Sequence, residues 1–175
     1  MLVEKGAMSL APVRRYMKSA DAIAFPLKVL ERIAPHDQVI EVIDELFAAE
    51  PPGYVRMPER RIDLIKWLTE WKGASDDEVI SRVTPYISDF DENVRFTAID
   101  GLATRDPKMI ADPLIDGLLR PDEESGRIKR TIVEVLERTK APLGGRVDQV
   151  KAQLVGPLGD DFKVDPKAQT VVRPR

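Results

Sequence analysis

Three stretches of the chain superpose at a constant offset of 34 residues. Leu64, Ile65 and Leu68 align with Ala98, Ile99 and Leu102, and these with Ile132, Val133 and Leu136. Arg61, Arg95 and Lys129 fall in one basic column at the same offset. An earlier copy fits with a 35-residue step that sets Val29, Leu30 and Ile33 over the first trio. A repeat of this length is a two-helix unit that cannot bury its apolar side alone, so successive units must stack to make a continuous core.

The local patterns agree. Val39, Ile40, Ile43, Leu46 and Phe47 follow the i, i+3, i+4, i+7 stripe of an amphipathic helix, and Ile62, Ile65 and Leu68 share its spacing. Val79, Ile80, Val83 and Ile87 mark another stripe, as do Ile110, Leu114 and Leu118. Alternation of period two is absent before the last fifteen residues, so the expected class is all-α. Between stripes lies turn chemistry. Asp37 is a candidate N-cap, Ser75-Asp76-Asp77-Glu78 resembles a capping box, and Asp106 precedes Pro107 at a first helical position. Pro51-Pro52-Gly53 and Pro121-Asp122 stop helices, because proline lacks the amide that would continue them.

The stretch from Pro85 to Leu102 resembles a HEAT repeat. It carries the turn aspartate Asp89, the Val94-Arg95 pair opening the second helix, and Ala98 and Leu102 to pack that helix. The last copy has Ile128-Lys129 in place of the Val-Arg pair and a longer turn from Pro121 to Gly126. The second copy keeps Arg61 but has a long Pro51–Pro58 turn. Tetratricopeptide repeats share the period, but their Trp-x-x-Leu-Gly-x-x-Tyr signature is missing. The resemblance implies a short right-handed α-solenoid of about four HEAT-like hairpins with a C-terminal extension. Residues 9–140 would form the repeat domain, residues 1–8 a leader or disordered N-terminus, and residues 141–175 a capping helix and extended tail. In that family the turn Asp and the Arg six residues later build a ladder between repeats, which assigns Asp89 and Arg95 a structural role.

Composition narrows the chemistry. The chain has 175 residues, no cysteine and one histidine, His36, which removes disulfides, thiolate nucleophiles and Cys- or His-rich metal sites. The acidic groups Asp76, Asp77 and Glu78, and Asp89, Asp91 and Glu92, stand at helix starts, where they cap amides and meet the positive end of the dipole. Neither group has the spacing of a calcium loop. Leu143-Gly144-Gly145-Arg146 lacks the ending of a phosphate-binding loop. No catalytic residue, metal or cofactor is expected. Twenty-seven basic against 30 acidic residues, net −3, disfavour a nucleic-acid binder, because neutralising phosphates needs a basic surface. No apolar run nears the roughly 20 residues of a membrane span, and the first eight residues lack a signal-peptide core. A cytoplasmic protein, monomeric or weakly self-associating, is the expectation.

What remains is a binding face. In HEAT proteins the second helices line the concave side. If Ala98, Ile99 and Leu102 face the core, Thr97, Asp100 and Thr104 face away, and the 34-residue step adds Asp63, Lys66 and Glu70, then Thr131, Glu134 and Arg138. Phe96 is expected to lie exposed beside them. The function expected is a non-catalytic adaptor or scaffold for another protein. HEAT-like lyases acting on chromophore-bearing proteins are the enzymatic alternative. Trp67 and Trp71, four apart, are expected to pack on the preceding hairpin and the Pro51–Met57 turn with Tyr54, with a partner anchor as the competing role.

Overall fold

The computed structural model describes residues 2–174, with side chains from residue 10 onward. Among these residues are ten α-helices and one small hairpin of strands. The helices are α1 (Leu2–Ser19), α2 (Ala24–Ile33), α3 (His36–Ala49), α4 (Glu59–Glu70), α5 (Asp76–Val83), α6 (Glu92–Leu102), α7 (Pro107–Leu119), α8 (Gly126–Thr139), α9 (Val147–Gln153) and α10 (Pro157–Asp161). A 3₁₀ turn, Thr84–Ser88, continues α5, and strands β1 (Lys163–Asp165) and β2 (Thr170–Val172) close the chain. The fold is all-α. Residues 2–8 fall in the opening turns of α1, and Met1 lies outside the described residues.

The start signals act as their chemistry dictates. Ser75 and Glu78 form a complete capping box, with the Glu78 amide donating to Ser75 Oγ at 3.3 Å and the Ser75 amide to Glu78 Oε2 at 2.8 Å. Asp106 accepts from the Lys108 amide behind Pro107. Asp37 does not cap: α3 begins at His36 behind Pro35, which leaves Asp37 in the first turn, where its charge meets the helix dipole.

Helix α2 packs on α4, α4 on α6 and α6 on α8; α3 touches both α2 and α4, α5 touches α4 and α6, and α7 lies on α8. All nine side chains of the three 34-residue trios are fully buried in one continuous core. The earliest copy departs from the expected register. Pro26, Leu27 and Leu30 are its buried trio, 38 residues before Leu64, Ile65 and Leu68, while Val29 and Ile33 stay half-exposed. Helices α2 and α4 start 35 residues apart, but the buried trio lies three residues nearer the helix start in α2 than in α4, so the spacing of the apolar trio survives although the step does not.

Beyond α8 the chain folds back. Leu143 donates its amide to the Gln169 carbonyl at 2.8 Å, and β2 lies on α8. Strands β1 and β2 pair antiparallel, with Val164 opposite Val171. Phe162 and Val171 are fully buried, and Arg130 and Arg173 both lie over the Phe162 ring. The tail is therefore docked, and the stretch after Gly156, expected as extended, begins with the short helix α10.

Candidate functional site

Consecutive packing of α4, α6 and α8 sets the expected binding residues on adjoining surfaces, and some of them line one groove. Lys66, Glu70, Asp100 and Thr104 are exposed and border a shallow groove of about 200 Å³ between α4 and α6. The helices come very close there: a Cβ on Gly101 would stand 2.5 Å from Thr69 Cγ2, so only glycine permits this approach. Thr97 lines the groove from below. It is buried, and its hydroxyl donates to the Asn93 carbonyl at 2.7 Å, so it is committed to the helix rather than turned to solvent.

Phe96 is not exposed as expected. It packs half-buried against the core, with the Arg127 guanidinium 4.4 Å above its ring. Asp63 is half-buried and accepts the Ile23 amide at 3.3 Å, which ties α4 to the loop before α2. Thr131 donates to the Arg127 carbonyl within α8, and Glu134 pairs with Arg130 at 3.1 Å and lies 3.9 Å from Arg173 of the tail. Arg138 is exposed and stands outside the groove.

Asp89 and Arg95 do not pair side chain to side chain. Each reaches a different neighbour. Asp89 Oδ2 accepts from Arg61 Nη1 at 3.0 Å, with both residues buried. The other Asp89 oxygen accepts the Asp91 amide at 2.8 Å. Arg95 Nη1 donates to the Asp89 carbonyl at 2.9 Å, and Arg95 meets Glu123, itself buried, across the next turn. Arg95 Nε lies 2.9 Å from Glu123 Oε2 but off the hydrogen-bonding direction; the directed bond runs from Nη2 to Oε1 at 3.3 Å. The two pairs, Arg61–Asp89 and Arg95–Glu123, stand one 34-residue step apart, which joins successive turns by the same device. Glu123 and the partnership of Arg61 were missed in the sequence, although adding the repeat length to Asp89 arrives at Glu123.

Trp67 and Trp71 are buried and stacked, with centroids 5.1 Å apart, and His36 stacks on Trp71 at 5.0 Å. Tyr54 takes no part in this column; it meets Phe90 instead. His36 Nε2 lies 2.8 Å from Glu78 Oε1, so the single histidine is a link between the start of α3 and the start of α5. The Ser75 amide, and then His36, hold the Glu78 carboxyl below its ordinary range.

Among the described residues no group of three or more His, Asp or Glu side chains converges as metal ligands would, and no helix is long and apolar enough to cross a membrane. The chain matches no protein-family model, no curated protein and no solved structure.

Proposed function

We propose that the chain is a non-catalytic adaptor, a short right-handed HEAT-like α-solenoid of about four hairpins, acting in the cytoplasm and gripping another protein with its α4–α6–α8 side. The register of the buried trios, the packing of α4 between α2 and α6, and the repeated arginine–acid pairs favour the solenoid reading. One observation carries the binding face. Lys66, Glu70 and Asp100 surround the α4–α6 groove and, among the described residues, none of them forms an ion pair, in a chain that pairs eleven of its arginines. A groove ringed by uncommitted charges of both signs suits a polar partner surface, where complementary charge sets orientation and specificity.

The test is affinity capture from lysate followed by mass spectrometry, comparing wild type with Glu70→Lys/Asp100→Lys. Both side chains are exposed, so thermal unfolding should change little. Loss of one defined partner supports the face, and an identical set of captured proteins contradicts it.

A further inference from the structure

The long turn before α4 builds something that the core does not use. Its Gly53, at φ +137°, donates its amide to Asp89 Oδ2 at 3.4 Å and gives its carbonyl to Arg61 Nη1 at 2.6 Å. The buried Arg61–Asp89 pair thereby fixes the turn in place. What the turn presents is Tyr54, 76% exposed, whose ring meets Phe90, 67% exposed, at right angles with centroids 5.3 Å apart. Two such rings, held by a buried ion pair and left in water, add little to the core. Single exposed apolar side chains are ordinary, but an anchored aromatic pair beside a cavity is a feature of binding surfaces.

The cavity adjoins them. A groove of about 680 Å³ runs from Gly53 past Phe90 to the turn before α8. Asp89, Glu92, Asp122, Glu123 and Glu124 line it, against Arg95 and Arg120. Both arginines are already spent, Arg95 on Glu123 and Arg120 on Asp122, while Glu124 is exposed and forms no ion pair among the described residues. Glu92 is shared with Arg127 at 3.3 Å. Elsewhere guanidinium groups lie over the half-buried Phe96 (Arg127) and the fully buried Phe162 (Arg130 and Arg173). Phe90 and Tyr54 have no such cover among the described residues.

We propose that this aromatic corner and acidic groove form a second docking site, for an arginine-bearing extended segment of a partner protein. A guanidinium laid in the corner stacks on the rings with its planar face and offers its N–H fork to Glu124 and Glu92. Lysine supplies the charge without the flat face or the fork, so the site prefers arginine. The site uses none of the residues of the α4–α6 groove and stands or falls separately from it.

The probe is a fluorescein-labelled octapeptide of alternating arginine and alanine, titrated by anisotropy into the full chain. A second peptide carries lysine in place of arginine. The expected result is saturable binding, tighter for the arginine peptide. Tyr54→Ala/Phe90→Ala should weaken it about tenfold while leaving the thermal midpoint nearly unchanged. Glu92→Gln/Glu124→Gln should weaken it too, whereas Asp21→Asn/Glu31→Gln, which removes equal charge beside α2, should not. In amide NMR spectra of the wild type, Gly53 should shift on titration and Gly101, in the α4–α6 groove, should not. Absent saturation, equal affinity for the two peptides, an aromatic variant that binds like wild type, equal effects of the two charge variants, or shifts centred on Gly101 would each overturn the proposal.

Discussion

Removing the Asp89 carboxylate should be the most costly single change at any turn. Asp89→Ala leaves the Arg61 guanidinium, 4% exposed, without its ion-pair partner and orphans the Asp91 and Gly53 amides. The remaining acid near Arg61 is Glu50, 3.8 Å away and already engaged by Arg60 at 2.7 Å. Breaking a buried pair from one side costs about 3–5 kcal/mol. The Gly53 carbonyl still accepts from Arg61, which argues for the lower end. In a chain of this length about 3 kcal/mol lowers the melting temperature by roughly 6–12 °C. Circular dichroism melts and urea titrations of Asp89→Ala, Arg61→Met and the double variant measure it. The double variant removes both charges, so its loss should fall about 2 kcal/mol short of the sum of the singles. A loss below about 1 kcal/mol for Asp89→Ala, or strictly additive losses, would refute the assignment of this pair as the clamp between turns.

Other measurements probe other layers. Gly101→Ala should cost about 1–3 kcal/mol by forcing α4 and α6 apart, and Thr69→Ala in the same chain should restore most of it in urea titrations. Glu78 has its pKa depressed in the folded state, so its stabilisation is complete above about pH 4.5 and is lost as pH falls through the lower folded value. Acid melts of Glu78→Gln should therefore be less pH-dependent below that point than those of wild type; identical slopes would contradict the capping role. Burial pushes the Tyr86 phenol up to about 12, and its hydroxyl donates to the Glu50 carbonyl at 2.6 Å. The unfolded chain then ionises first, so stability should fall between about pH 10 and 12, and Tyr86→Phe should flatten that decline.

The apolar trios of α4, α6 and α8 could be found from sequence because full burial imposes helical spacing on apolar side chains. The earliest buried trio lies three residues before the one the repeat suggests, since Val29, Leu30 and Ile33 have helical spacing too and nothing in α2 alone reveals that its buried positions sit nearer the helix start. Polar positions were harder. Thr97 faces away from the trio on a helical wheel, yet it is buried at the α4–α6 groove. The fate of Phe96 depends on Arg127, a residue of the next repeat whose reach no single-helix argument supplies. His36 gave no signal at all, because its stack on Trp71 joins residues far apart in the chain.

The two arginine–acid clamps carry an implication for how the chain can vary. Positions 61 and 89, and positions 95 and 123, are bound in twos, so a substitution at one member is penalised unless its mate changes with it. Across divergent versions of this protein these sites should drift in tandem, both charged or both greasy, at a fixed separation of 28 residues along the chain.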